Sequence, residues 1–292
     1  MIQERIKKDY PSAKIPQQFV EQDRGFVKCC DKFTVLAGNG AESWKNDVNS
    51  AWLKLSQPSD TVSFTVEKKV GSAWVQTVFY NPPVFQCVNE PFAFYTTVFW
   101  AEVQNLEGNG CYRIKRTWNI GGFIGFDIWR NTMYTLKDYT IKNALKTARI
   151  RVKFNLVQEI EGIDFTDSNV EDSIRFNGQI RKDQPNTRFV TVTQQNRRIE
   201  PVMSEKSQTY MIETDGYTDP VLALMENLYL LSPNEMWISD HNAHTNSYEI
   251  LDKEVSLIEG ESPEREPDDK FARQEVLTCK VGDRYKNEIT YY

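Results

Sequence analysis

The only two histidines of the chain lie close together in the segment SDHNAH. Asp240, His241 and His244 would hold zinc if a further ligand arrived, because imidazole and carboxylate are common zinc ligands. A metalloprotease motif carries a glutamate between its histidines on a helix, and this segment lacks that glutamate. A position between a strand and a loop also does not place residues i and i+3 on one face. We therefore interpret all three as polar turn residues.

A second group of acids lies in the segment DFTDSNVED, which contains Asp164, Asp167 and Asp172. A calcium loop of the EF-hand type needs carboxylates at alternate positions, a glycine at the sixth position and a glutamate at the twelfth. The spacing here departs from that register, and the segment has no glycine. It is rich in residues that form turns, so we predict a solvent-facing loop.

The remaining candidates for chemistry are aromatic and acidic side chains. Four tryptophans could stack on sugars, or they could fill a β-sandwich core or a subunit interface, which we favour; they are Trp44, Trp52, Trp118 and Trp129. With 41 acidic residues, a glycan hydrolase stays open as an enzyme class, although no spacing singles out a carboxylate pair. We predict that the chain is not an enzyme and has no catalytic, cofactor-binding or metal-binding residues.

The length and composition of the chain limit the classes of protein to which it can belong. At 292 residues the chain is long enough for about two domains. The net charge of −6 disfavours a sequence-specific nucleic-acid partner, and no apolar run predicts a signal peptide or a membrane span, so we expect assembly in the cytoplasm. The five cysteines are widely spaced and odd in number, so we expect free and mostly buried thiols; they are Cys29, Cys30, Cys87, Cys111 and Cys279.

Runs rich in valine, threonine and aromatic residues, separated by turns, predict antiparallel strands. Val62, Phe64 and Val66 point one way before a turn near Gly71, and the run from Phe92 to Trp100 alternates in the same manner. The glycines of the segment GGFIG, at 121–125, suggest a domain boundary nearby. The predicted fold is mainly β, with an extended arm at 1–25 and two antiparallel β-sandwich-like domains at 26–125 and 126–292.

One amphipathic helix is predicted inside the second domain, at about 218–232. Asp219 or Thr218 is suited to the N-cap, Pro220 to the first helical position, and Val221, Leu224, Met225, Leu228 and Leu231 recur at helical spacing. We expect this helix to pack on a sheet. The acidic stretch 259–269 is predicted to be a solvated loop, and the chain to close with a C-terminal strand.

The second half of the sequence resembles the C-terminal region of tail and neck structural proteins of crAss-like phages and related Bacteroidota phages. The resemblance lies in an ordered series of strands and one helix over about 130 residues. The matching pieces are Ser173 to Phe176, Asn196 to Arg198, Tyr210 to Asp215, Pro220 to Leu231 and Met236 to Ile238, with Asn109 to Ile114 in the preceding region. The segment 129–150 does not match and is interpreted as an insertion that makes subunit contacts.

The resemblance implies a virion structural protein without cofactors. Such a protein would form a homo-oligomeric ring of sixfold or twelvefold symmetry in the neck or tail of a short-tailed phage, between the portal side and the tail hub. Its partners would be neighbouring neck and tail proteins, and DNA would pass through its lumen. The arm at 1–25 and the C-terminal segment NEITYY would reach across to neighbours. The alternative is a distal-tail or baseplate adaptor, or a carbohydrate-binding β-sandwich module.

Overall fold

A computed structural model gives the fold. It describes residues 33–38, 45–155, 160–193, 199–241, 250–258, 261–267, 274–284 and 287–290. The predicted arm at 1–25, Trp44, the turn at 196–198 and His244 lie outside these residues.

Strands dominate the described chain, as the predicted fold class requires. In chain order they are β1 (Phe33–Ala37), β2 (Val48–Lys54), β3 (Thr61–Val70), β4 (Ala73–Gln76), β5 (Phe85–Gln86), β6 (Ala93–Phe99), β7 (Gly110–Ile120), β8 (Phe123–Ile128), β9 (Tyr134–Asp138), β10 (Ala148–Phe154), β11 (Val170–Phe176), β12 (Gly178–Lys182), β13 (Asn186–Thr193), β14 (Ile199–Ser207), β15 (Thr209–Thr214), β16 (Glu235–Asp240), β17 (Ile250–Leu257), β18 (Glu264–Pro267), β19 (Glu275–Asp283) and β20 (Asn287–Thr290). The helices are α1 (Trp100–Glu107), α2 (Ile141–Ala144) and α3 (Asp219–Leu224), and a 3-10 turn spans Trp129–Asn131.

The strands form four sheets. The first has the order β1-β9-β7-β3-β4 with β8 also on β7, and a small sheet has the order β2-β6-β5. The largest has the order β11-β10-β16-β17-β19-β15-β12 with β18 also on β19, and β13-β14-β20 is the fourth. The pairing is antiparallel apart from β1 with β9. The mainly β, antiparallel fold class is therefore confirmed.

The large sheet curls so that its terminal strand β12 approaches β16, the third strand from the other end. The backbone N–H of Ile180 in the terminal strand β12 donates to Asp240 Oδ2 at the end of β16, at 2.7 Å. This curling buries alternate residues of β10, including Ile150, Val152 and Phe154, as the sequence pattern indicated.

The predicted helix is present as α3, which begins with Pro220 in its first turn and continues as a π-helical turn over Met225–Leu230. Val221, Leu224, Met225 and Leu228 are buried, as the periodicity indicated. Leu231 is exposed because it follows the last π-helical residue, and its N–H bonds to Glu226 O five residues back. The buried apolar residues therefore continue to Leu230, one residue before the predicted end of the stripe.

Two local predictions were wrong. Trp100 does not continue the strand from Phe92 but begins α1, because Trp100 and Val103 are buried at helical spacing. Within the acidic stretch, Glu264–Pro267 form strand β18, paired with β19. The glycines at 121–122 form the turn of the β7–β8 hairpin, with φ of 56° and 89°.

The division into two domains stays a prediction. Strand β9 lies beyond residue 125 yet belongs to the first sheet, and the buried apolar residues form one cluster through both predicted regions. The C-terminal strand β20 pairs with β14 of the same chain, which does not fit a segment that orders only on a neighbour.

Two cysteines follow the prediction and one does not. Cys87 and Cys279 are free and buried, and burial raises the pKa of Cys87 to about 11 and that of Cys279 to about 12. Cys111 is disulfide-bonded, which corrects the expectation of a free thiol at this position. Spacing along the chain does not show which cysteines meet in the fold.

Candidate functional site: buried ion pairs and an exposed hairpin

The residues of the candidate zinc segment point to different partners. The carboxylate of Asp240 accepts the Ile180 N–H, and His241 Nε2 lies 2.7 Å from the hydroxyl of Tyr139. Asp240 is buried on β16 and joins two strands of the large sheet, so the turn prediction was wrong for this residue. His241 links the end of β16 to the segment after β9. Among the described residues no group of three or more histidines, cysteines and carboxylates is placed to hold a metal.

The three aspartates of the candidate calcium segment are also separated by the fold. Asp164 Oδ1 accepts the Thr166 N–H at 2.8 Å, and hydrogen bonds from Thr166 lower its pKa. Asp167 has a positive φ of 62° and donates its N–H to Asn155 Oδ1. These two are turn residues, as predicted. Asp172 instead lies on strand β11 and is buried, so the loop prediction was wrong for this residue.

Three of the candidate sugar-stacking tryptophans are described by the structure: Trp52 and Trp129 belong to the interior, and Trp118 is half-buried. Trp52 and Trp129 are each 1% exposed, and their rings meet edge-on with centroids 4.9 Å apart. The Arg130 guanidinium lies 4.8 Å from the Trp52 ring centroid and 4.5 Å from that of Trp129. Stacking on both rings places this cation in the core. The core interpretation is thus confirmed for Trp52 and Trp129.

An ionic junction connects the segment before β2 to the large sheet. Asp47 is fully buried; its Oδ1 lies 3.3 Å from Arg149 Nη1 and its Oδ2 lies 2.5 Å from Arg175 Nε. Arg149 is 1% exposed and also pairs with Asp252 at 3.1 Å, which in turn bonds Arg151 at 2.8 Å. Burial lowers the pKa of Arg149, and Asp47 opposes that shift. We name Asp47, Arg149, Arg151, Arg175 and Asp252 the ionic junction.

A second buried acid lies beside this junction. Asp172 accepts the amide of Asn49 at 2.6 Å and the Ser173 N–H at 2.8 Å, and Tyr229 also bonds its carboxylate. Burial raises the pKa of Asp172 to about 7, although Arg130 acts in the opposite direction. The hydrogen-bond network continues through Asn49, whose Oδ1 accepts the Trp100 indole N–H at 2.8 Å.

The cavity next to Asp172 is small. Its lining includes Asn49, Arg130, Tyr134, Ser173 and Tyr229, and its volume is about 20 Å³. A space of that size holds about one water molecule, which is well below the size of a small-molecule substrate. The polar interior at this point is therefore suited to fixing how the sheets pack.

The clearest surface feature is the tip of the β7–β8 hairpin. Four large apolar side chains lie in the solvent there, with exposed fractions of 38%, 83%, 77% and 64% for Ile120, Phe123, Ile124 and Phe126. We name these four residues the hairpin tip. Register pairs Ile120 with Phe123, so these two side chains share one face of the ribbon. Ile124 and Phe126 lie on the opposite face, because successive residues of a strand alternate.

The hairpin is held by contacts between its own residues and by one residue from outside it, Asp60. A Cβ at Gly125 would lie 2.6 Å from the indole Nε1 of Trp118, so the ring packs directly over this glycine. Lys115 Nζ lies 4.6 Å from the Phe126 ring centroid, and Asp60 Oδ1 accepts the Gly121 N–H. The apolar tip is thus presented by a fixed ribbon.

A second apolar surface lies at the other end of β7. Val78 and Phe79 are 78% and 72% exposed, and Glu107 at the end of α1 accepts the Phe79 N–H at 2.6 Å. Phe99 is the last residue of β6, directly before α1, and Leu106 lies in the last turn of α1; both are exposed. The Phe99 N–H donates to the Tyr80 hydroxyl at 3.2 Å, which places Phe99 close to the segment of Val78 and Phe79. We name Val78, Phe79, Phe99 and Leu106 the helix patch.

Sequence reasoning missed both the ionic junction and the two apolar surfaces. Arg149 and Arg151 alternate with Ile150 and Val152, a pattern that favours a solvent-exposed polar face. The only available signal for the hairpin was its run of ten uncharged residues, from Thr117 to Phe126.

None of the described helices is long and apolar enough to cross a membrane.

Searches against family models and against curated protein sequences found no match for this chain. The function therefore has to be inferred from the geometry of the chain and from the resemblance of its strand series.

Proposed function

We propose that this chain is a virion structural protein, the subunit of a homo-oligomeric ring in the neck or tail of a short-tailed bacteriophage. The observation that carries the proposal is the hairpin tip, whose apolar side chains stand in solvent on a rigid ribbon. Exposed apolar surfaces of several hundred Å² are typical of protein–protein contact sites. A surface of this kind suits a subunit that is buried in an assembly.

The order of the structural elements supports the phage part of the proposal. Four of the pieces that carry the resemblance lie in β11, β15, α3 with its π-helical turn, and β16, and Gly110 to Ile114 opens β7. The piece at 196–198 lies outside the described residues. The buried charges support a packing role. The acids and arginines of the ionic junction bond to each other and hold the sheets together, so they serve the architecture of the subunit.

Electron microscopy of the purified full chain tests this proposal. We expect closed rings, and antibody labelling of phage particles should place the chain at the junction of head and tail. A particle that lacked the chain, or that carried it only on fibres, would contradict the proposal. A chain that stayed monomeric and changed its elution with added glycan would favour the carbohydrate-binding alternative.

A further inference from the structure

The two apolar surfaces are separate patches beside the first sheet. The hairpin tip begins at Ile120, the last residue of β7, whereas Glu107, which accepts the Phe79 N–H, lies three residues before the start of β7 at Gly110. Strands β7 and β3 lie between β8, which carries most of the tip, and β4, which leads to Val78. The two patches therefore do not adjoin, and each is able to take a different partner surface.

From this placement we infer a contact between two copies of the chain. The hairpin tip of one subunit binds the helix patch of the next subunit. The inference rests on the proposed homo-oligomer and deepens it by naming its contact. A contact between two different patches of the same chain is head-to-tail, so a pair of bound subunits keeps one free hairpin tip and one free helix patch. Such contacts repeat until the rotation closes a ring, or continue as a filament.

The area of the two surfaces fits a stable contact. From the exposed fractions, the hairpin tip presents roughly 500 Å² of apolar surface and the helix patch roughly 400 Å². A standard protein interface buries about 1,600 Å² in total, of which a little over half is apolar. The two patches together therefore supply about the apolar area of one such interface.

The charges beside the two surfaces are complementary. Lys115 flanks the tip at Phe126, while Glu102 is exposed on α1 between Phe99 and Leu106. Bringing the tip onto the patch would place this ammonium group near a carboxylate, which favours the head-to-tail pairing over tip against tip. The net charge of −6 disfavours the other apolar occupant, an anionic lipid bilayer.

Two variants of the full chain test the contact by complementation. The tip variant carries Phe123→Ser and Ile124→Ser, and the patch variant carries Phe79→Ser and Leu106→Gln. All four side chains are at least 47% exposed, so folding should be preserved and circular dichroism checks it. The matched control carries Val88→Ser and Leu231→Ser, which remove exposed apolar side chains elsewhere.

Light scattering after size-exclusion chromatography gives the readout. We expect the wild type and the control to assemble, and each variant alone to run at the monomer mass of 34.0 kDa. An equal mixture of the two variants should double that mass, because one intact tip and one intact patch remain. A tip variant that assembled like the wild type, a mixture that stayed monomeric, or a wild type that was monomeric throughout would overturn the inference.

The same experiment separates this inference from the proposed function. If the variants assemble normally and the protein forms rings in the virion, the proposed contact is refuted and the proposed function is not. Complementation in a protein that is found only on fibres would refute the function and leave the contact intact. Vesicles of phosphatidylcholine and phosphatidylserine provide the third arm: co-sedimentation that is lost in the tip variant, without any self-association, would identify a bilayer as the occupant.

Discussion

In most proteins charged side chains are exposed and large apolar side chains are buried, and the ionic junction and the hairpin tip both depart from this distribution. At the junction, Asp47 and Arg149 are removed from water, whereas at the tip Phe123 and Ile124 stand in it. The junction charges compensate one another within the chain through short ion pairs. Within the described part of the chain, no other residues bury the tip side chains.

This difference separates a subunit's architecture from its contacts. A buried ion pair adds little stability compared with apolar residues of the same shape, but breaking one partner is costly, so it favours one arrangement of the sheets over others. An exposed aromatic tip adds nothing to the isolated subunit and gains free energy only when a partner covers it. The four predictions below test whether the two regions behave in these opposite ways.

The largest effect is expected from Asp47→Ala. The substitution leaves Arg149 and Arg175 buried without their shared carboxylate, and such uncompensated charge costs about 3–5 kcal/mol. Urea denaturation of the full chain measures the free energy of unfolding. The control is Arg181→Ala, which breaks the exposed pair of Arg181 with Glu213 and should cost at most about 1 kcal/mol. Equal losses in the two variants would show that the junction contributes no more than a surface ion pair.

The next effect is a dependence of stability on pH at Asp172. Burial raises its pKa in the folded chain to about 7, above the ordinary value of an unfolded aspartate. The folded state then binds the proton more tightly, so the stabilising contribution is complete below about pH 4 and is lost as the pH rises to about 7. Within that window the wild type should lose roughly 1.4 kcal/mol per pH unit relative to Asp172→Asn.

Urea denaturation of both proteins at pH 5, 6 and 7 measures this difference. Asparagine keeps the shape of the side chain and does not titrate, so subtraction removes the contributions of all other groups. A difference between the two proteins that is constant across the three pH values would mean that Asp172 does not take up a proton in this range.

A smaller loss is expected from Gly125→Ala in the hairpin. The new Cβ would lie 2.6 Å from Trp118 Nε1, so the indole must move off the ribbon. The ring is partly exposed and able to shift, so we expect a loss of about 1 kcal/mol, at the low end of overpacking costs. Trp118 fluorescence reports the shift of the ring. Gly122→Ala is the comparison. Its new Cβ would meet nothing within 4 Å, so any loss there comes from the positive φ of the turn and not from contact with the ring.

The elements that followed from local patterning were predictable from the sequence. Helix α3 was found because Pro220, Val221 and Leu224 combine a start signal with helical spacing. The hairpin of β3 and β4 was found because its alternation and its glycine turn agree. In both cases a single segment carries the whole signal.

The rest depends on contacts between distant segments. Asp47 and Arg175 are far apart in the chain, and only the fold makes the polar face of β11 an interior one. Helix α1 was missed because the alternation of β6 runs directly into Trp100 without a cap residue, and no side chain caps its N-terminus. Whether an apolar run such as the hairpin tip is buried or exposed also cannot be read from one segment, since it depends on what lies beside it.

The smallest effect on the isolated subunit is expected from Phe123→Ser. The ring is 83% exposed, so its removal at nanomolar protein should change the free energy of unfolding by no more than about 0.5 kcal/mol. Phe64→Ser in the same sheet is the contrast, because that ring is 2% exposed and its loss should cost about 3–5 kcal/mol. The two rings differ in position and not in chemistry.

Protein concentration then sharpens the comparison. An assembled state that only folded subunits enter raises the melting temperature of the wild type as concentration increases. Phe123→Ser should match the wild type when dilute and fall behind it at tens of micromolar, whereas Asp47→Ala should be destabilised by a similar amount at every concentration. Scanning calorimetry over that range measures both. If Phe123→Ser and Asp47→Ala responded to concentration in the same way, the tip would be acting within the subunit, and the contrast between an internal junction and an external contact would fail.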